Sequence, residues 1–168
     1  MKKLTKTLAL LTVMVAFTAV TFAQGVTESA TATATIITPL TITHDVDLAF
    51  GNVAVGAGGG TVVLATNSTR TATGDVSFQS TPAGTAARFI VSGLPGQTYI
   101  ITLPADGVVT ISNGANTMAV NGFNSDVASP ATLAAGNNNL LVGATLVVNG
   151  NQPAGAYSGT FDVTVAYN

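Results

Sequence analysis

The 168 residues contain one histidine, His44, and it stands beside two aspartates in Thr43-His44-Asp45-Val46-Asp47. An imidazole and two carboxylates are the residue types that hold zinc or another divalent cation, but such a centre needs three or four protein ligands with supporting hydrogen bonds. A strand through this stretch turns Asp45 away from His44, because successive side chains point to opposite faces. The segment therefore reads as a polar strand end entering a turn, and no metal ligand is expected.

Other chemistries find still less. Acyl transfer needs a serine or cysteine activated by a base, and the chain has no cysteine and no Gly-x-Ser-x-Gly turn. Glycoside hydrolysis uses two facing carboxylates. The acids here (Glu28, Asp45, Asp47, Asp75, Asp106, Asp126, Asp162) are scattered, with no tryptophan to form a sugar platform. Gly56 to Gly60 (GAGGG) lacks the Lys-Ser/Thr that completes a phosphate loop and reads as a flexible loop. Asn67-Ser68-Thr69 matches a glycosylation sequon, which has meaning on a eukaryotic secretory route. Asn137-Asn138-Asn139 reads as a solvated loop. Neither a catalytic residue nor a cofactor is expected, and the protein reads as non-enzymatic.

What the elements must do is clearer. Lys2, Lys3 and Lys6 precede an apolar run from Leu8 to Val20, and Thr21-Phe22-Ala23 ends it with small residues at the −3 and −1 positions. This is the layout of a cleaved export signal, residues 1–23. The run falls short of the roughly 20 apolar residues that span a membrane. Removing the signal leaves 145 of the 168 residues as one domain, residues 24–168. All lysines go with it, so Arg70 and Arg88 face seven acids, a net charge of −5. Nucleic acid needs clustered cations, so it is not an expected partner, and neither is membrane insertion after export. Without cysteine, the exported domain must be held by its core alone.

Apolar residues recur with a period of two, the mark of half-buried strands. From Glu28 to Thr43, Ala30, Ala32, Ala34 and Ile36 alternate with threonines and Ile37. Pro39 must break or kink that strand. Val46, Leu48 and Phe50 continue an alternating face that closes at Gly51-Asn52. Further strands are expected at 61–65, 71–73, 76–79, 87–92, 98–103, 108–112, 117–120 and 139–149, with turns at Asn113-Gly114 and Asn121-Gly122. The last fourteen residues, 155–168, alternate throughout: Tyr157, Gly159, Phe161, Val163, Val165 and Tyr167 share one face. Turn residues at intervals of about 8–12 residues argue for an all-β, immunoglobulin-like antiparallel sandwich.

Several stretches carry a resemblance. Ala32 to Thr43 (ATATIITPLTIT), Asp47 to Val53 (DLAFGNV), Ala115-Asn-Thr-Met118, Leu140 to Leu146 (LLVGATL) and Gln152 to Tyr157 (QPAGAY) resemble the bacterial secreted family known as domain of unknown function number 4402. The resemblance implies a secreted, pilin-like sandwich from a Gram-negative bacterium and names no activity. The C-terminal strand also resembles subunits of chaperone–usher pili, which end in a penultimate aromatic, here Tyr167, and carry a glycine fourteen positions from the end, here Gly155.

The expectation is a structural, fimbria-like surface subunit, exported to the periplasm, outer surface or medium, that assembles by β-strand addition. Gly155, Phe161, Val163, Val165 and Tyr167 would form the assembly strand. Ala30, Ala32, Ala34 and Ile36, within residues 24–43, would form the donor. Copies of the chain or related subunits, and a periplasmic chaperone, are the implied partners. The alternative is a self-complete extracellular binding module, an adhesin or glycan-binding matrix domain, whose N-terminal strand pairs within its own sandwich.

Overall fold

The computed structural model describes residues 25–168, so the export signal expected at residues 1–23 lies outside the described residues. The chain divides into two units, residues 1–35 and 36–168. In the first, residues 25–35 are exposed and carry no regular secondary structure. The second carries ten strands and, among the described residues, no helix.

The strands are β1 (Thr41–Val46), β2 (Val53–Leu64), β3 (Arg70–Phe78), β4 (Ala87–Ser92), β5 (Thr98–Thr102), β6 (Val109–Asn113), β7 (Asn116–Ser125), β8 (Ala131–Thr132), β9 (Asn137–Val148) and β10 (Thr164–Tyr167). The larger sheet runs β1-β4-β9-β2-β3, with β7 also on β9 and β6 on β7. The smaller one runs β10-β5-β8. Every pairing is antiparallel. The expected all-β sandwich is the architecture of residues 36–168.

Alternation explains which residues fill it. Ala87, Phe89 and Val91 of β4, Tyr99 and Ile101 of β5, and Leu140 and Val142 of β9 form one buried cluster with Ala131 and Leu133. Val62, Val109, Met118, Val120, Ala144, Leu146 and Val148 form a second. Fully burying an aliphatic side chain of this size contributes about 1.5–3 kcal/mol. A dozen or so such residues give a chain without disulfides its cohesion.

Strand β9 joins the two clusters. It pairs with β4 through Asn137–Val142 and with β2 through Ala144–Val148. Against β7 it pairs through Val142, Gly143, Thr145 and Leu146. Gly143 sits where the partner changes from β4 to β2. A Cβ there would lie 2.4 Å from the Leu64 carbonyl oxygen and 3.0 Å from Asn124 Oδ1.

Five expectations are corrected. Asn137-Asn138-Asn139 is not a solvated loop but the start of β9, paired with β4, where the Asn138 side-chain amide donates to the Thr132 carbonyl at 2.8 Å. Gly56 to Gly60 is not a flexible loop but the middle of β2, where the register against β3 shifts between Val55 and Gly60. Gly59 and Gly74, both at positive φ, let the two strands bulge past each other. The short strands expected at 71–73 and 76–79 are consequently one, β3. Asn121-Gly122 is a bulge inside β7, not a turn. The long strand expected from Glu28 to Thr43 begins only at Thr41, after Pro39 has removed a donor and fixed its φ. Ala30, Ala32, Ala34 and Ile36 therefore lie outside any strand, all exposed.

Replacing Gly143 with valine should destabilise the sandwich by about 3 kcal/mol, the upper range for overpacking a close contact. Urea unfolding of the two chains checks it. An unchanged midpoint would show that β9 can give way where its partners change.

Candidate functional site

The residues with chemical potential do not converge. The His44 Nε2 lies 3.0 Å from Asp47 Oδ1, and its ring stands edge-on to Phe89 with centroids 5.7 Å apart. Asp45 occupies the irregularity between His44 and Val46, and it accepts a hydrogen bond from Arg88 Nε across the β1–β4 pair. Two separate polar pairs result. Among the described residues no cluster of three metal-ligating side chains forms. Arg70 donates to the carbonyls of Phe50 at 2.8 Å and Gln79 at 2.6 Å, and its guanidinium lies 4.4 Å from the Phe78 ring centroid. It stitches chain segments together. A shallow pocket of about 340 Å³ opens between the bulges of β2 and β3, lined by residues that include Gly56, Gly74 and Asp75. Its one carboxylate accepts a long bond from Gly58 N–H, 3.3 Å.

The feature left over is a seam. The inward-facing residues Leu40, Ile42, Leu48 and Phe50 are half-buried, and so are Tyr157, Phe161, Val163, Val165 and Tyr167. Both sets pack on the core clusters. β1 lies near β10, but the two belong to different sheets and are not hydrogen-bonded to each other. Phe161 anchors the C-terminal lip, with ring centroids 4.9 Å from Phe123 and 6.2 Å from Phe89.

The C-terminal lip differs from its sequence reading in extent. Alternation holds from Phe161 to Tyr167, with Asp162, Thr164, Ala166 and Asn168 exposed. Only Thr164–Tyr167 is a strand, however. Earlier residues are drawn to the other sheet: Ser158 exchanges backbone hydrogen bonds with Ser112 of β6, at 2.8 and 3.0 Å. Gly155 is exposed, and a Cβ on it would lie 1.9 Å from Asn113 Nδ2. It packs on the β6–β7 hairpin, apart from Phe161, Val163, Val165 and Tyr167, because the segment crosses between sheets.

The seam's outer edge follows from hydrogen-bond phase. Asn168 N–H donates to the Thr98 carbonyl at 3.2 Å, continuing the β10–β5 register. Antiparallel pairs alternate between bonded and non-bonded. Ala166 and Thr164 are thus bonded to β5, while Val165 and Tyr167 direct their backbone N–H and C=O outward. Among the described residues no strand takes them up.

Sheet edges attract other strands unless guarded by charge, proline, bulges or brevity. The edge strand β3 carries Arg70, Asp75 and the bulge at Gly74. β1 has Asp45 at its irregularity, with Pro39 just before it. The edge of β6 is bridged by Ser158. β8 has two residues and follows Pro130. β10 (Thr164-Val-Ala-Tyr167), four residues long, has no charge, proline or register shift, and the nearest charged side chain along the sequence is Asp162. Sequence reasoning found this strand from its alternation. It also found the alternating face of Leu48 and Phe50 but not that this face forms the other lip of the seam, because nothing local says which segment will lie opposite it.

Residues 40–167 match the model of the family described as Domain of unknown function (DUF4402). The chain belongs to that family. Comparison with curated proteins and with solved structures finds no match.

Phe161→Ala should cost about 2–3 kcal/mol, below the cost of deleting a fully buried ring because this one is half-buried. Ala166→Lys on the opposite face should change stability by less than about 0.5 kcal/mol. Thermal unfolding of both variants checks the assignment of faces, and an equal loss in the two would refute it.

Proposed function

We propose that this member of the family is a non-enzymatic, exported structural subunit whose copies associate by β-strand addition at the β10 edge. One observation carries the reading. The chain offers an unpaired strand edge without charge, proline or bulge beside a half-exposed apolar seam, and also a segment with strand alternation that, among the described residues, pairs with no strand. Ile36 is 97% exposed and Ile37 50%. Ahead of them Ala30, Ala32 and Ala34 alternate with Thr31, Thr33 and Thr35, uncharged throughout. In strand addition, main-chain hydrogen bonds supply affinity and alternate side chains supply fit. The outward-facing groups of Val165 and Tyr167 are the acceptor, and residues 28–37 of another copy or a related subunit are the donor. Before assembly the same edge would be held by a periplasmic chaperone.

The low charge favours this reading. An intersubunit strand lies along a neutral edge without leaving a charge desolvated. The mature chain carries only Arg70 and Arg88 as cations, and both are engaged away from β10.

A second reading rests on β1. Thr41–Val46 already pairs with β4 in register, from Thr41 against Ser92 to Val46 against Arg88. That portion of the N-terminal stretch completes its own sandwich, as a self-contained adhesin or glycan-binding module would. A glycan-array screen that gives a specific hit with monomeric protein would favour it.

The test compares the mature chain with a version lacking residues 24–37, which keeps Thr38 and all of β1. Sedimentation velocity at rising concentration should show concentration-dependent association of the mature chain and a folded monomer for the truncated one. Two folded monomers at every concentration would overturn strand addition. A truncated chain that unfolds would instead place the segment inside its own sandwich.

A further inference from the structure

The root of the N-terminal segment is tied to the last strand by one side chain. Tyr167 Oη accepts a hydrogen bond from the Leu94 backbone N–H at 2.7 Å and donates one to the Thr38 carbonyl at 2.9 Å. The ring packs on the first core cluster beside Leu40. Gly93 completes the knot, since a Cβ there would fall 2.3 Å from Tyr167 Oη and 3.1 Å from both Leu40 Cδ1 and Leu133 Cδ1. The bonded carbonyl belongs to the Thr38–Pro39 peptide. The residue before a proline is confined to extended conformations, and the proline's own φ is fixed. Among the described residues, this is the one hydrogen bond made by residues 36–40.

We infer that Tyr167 is a latch that positions the root of the N-terminal segment, holding Thr38 against the Gly93–Leu94 turn so that Ile36 and Ile37 stand outside the fold. The inference rests on the strand-addition reading for its use, though the latch itself rests on geometry alone. A single residue then serves both partners of the junction. The Tyr167 backbone presents the acceptor edge, and its phenol fixes the point from which the donor departs. A donor with a fixed root loses less conformational freedom on docking than one swinging from a free hinge, and preorganisation of this kind strengthens association. The latch also explains why a tyrosine, and not a phenylalanine, closes the apolar face. A ring alone would fill the core, but both hydrogen bonds need the hydroxyl.

The variant Tyr167→Phe keeps the ring and removes both hydrogen bonds. Gly93→Ala leaves the tyrosine in place but displaces its hydroxyl. Hydrogen exchange and limited proteolysis on the mature chain, with sedimentation velocity alongside, read the outcome. In Tyr167→Phe, exchange at the Leu94 amide and cleavage between Ile36 and Leu40 should rise about tenfold, as expected from losing hydrogen bonds of ordinary strength. The exchange of β4 and β9 amides should stay as it was. Association should weaken by a similar factor, and Gly93→Ala should reproduce both effects.

Unchanged exchange and cleavage in Tyr167→Phe would overturn the latch. Raised exchange with undiminished association would overturn its positioning role while strand addition stands. If the unaltered mature chain does not associate at all, the strand-addition reading fails, and exchange at Leu94 and cleavage at 36–40 still decide whether the latch exists.

Discussion

One strand, β9, must satisfy three partners, and the rest of the sandwich is arranged by how it does so. Its twelve residues pair with β4 along one half and with β2 along the other, while β7 spans the changeover. Leu140 and Val142 feed one core cluster; Ala144, Leu146 and Val148 feed the other. The constraint concentrates at Gly143, where the Leu64 carbonyl, Ala65 and Asn124 converge on the space a side chain would need. Because β4 takes its half of β9, β1 can add outside β4, and β1 is what brings the N-terminal lip near β10. The seam is thus a consequence of where β9 changes partners.

Much of this was legible in the sequence, and the limits have physical causes. The strands at 87–92 and 98–102 lie within alternating stretches flanked by glycine or proline, and β10 lies within the alternation of 155–168, of which only Thr164–Tyr167 is a strand. The β6–β7 hairpin follows from Asn113-Gly114, where Gly114 has a φ of 60°. Glycines inside strands misled, because Gly56–Gly60, Gly74 and Gly122 have the composition of turns but serve as bulges. A bulge differs from a turn only in what pairs on either side of it, which is not local information. The Ala/Thr stretch at 30–35 misled in the opposite direction. It alternates as well as any strand in the chain, yet alanine offers little apolar area, so alternation alone does not bind it to the sandwich. The candidate site was half legible for the same reasons: the C-terminal lip announces itself by alternation, and the N-terminal lip becomes visible only when β1 and β4 are paired.

Neutrality shapes the surface more than any motif does. Charged side chains, lysine especially, are one common guard of sheet edges, but both arginines, the Lys/Arg cations that remain beyond residue 23, are engaged in contacts of their own. Arg88 holds Asp45, and Arg70 braces the chain around Phe50 and Gln79. The fold therefore relies on bulges, proline, a bridging serine and short length to close its edges. Those devices, with the charges of Asp45, Arg70 and Asp75, cover β1, β3, β6 and β8 in different combinations. That variety implies edge closure is a real constraint on this chain, and it makes the bare edge of β10 more informative than it would be on a charged surface.

The two ends of the seam complete the argument. At one end the C-terminal segment leaves the larger sheet after Ser158 and reaches the smaller one at Thr164, so Phe161 must bridge both clusters from the crossing itself. At the other end Tyr167 gathers Thr38, Leu94 and the glycine at 93 around one hydroxyl. Between these fixed points Val163 and Val165 are held with their side chains in the core, and the backbone of Val165 is turned outward. An edge held by contacts at both ends and unpaired along its length, among the described residues, suits the proposed strand addition. A rigid acceptor loses little entropy when a strand docks, whereas a frayed edge would have to be ordered first. The same crossing that stops residues 155–163 from extending the smaller sheet is what keeps its last strand short, neutral and open.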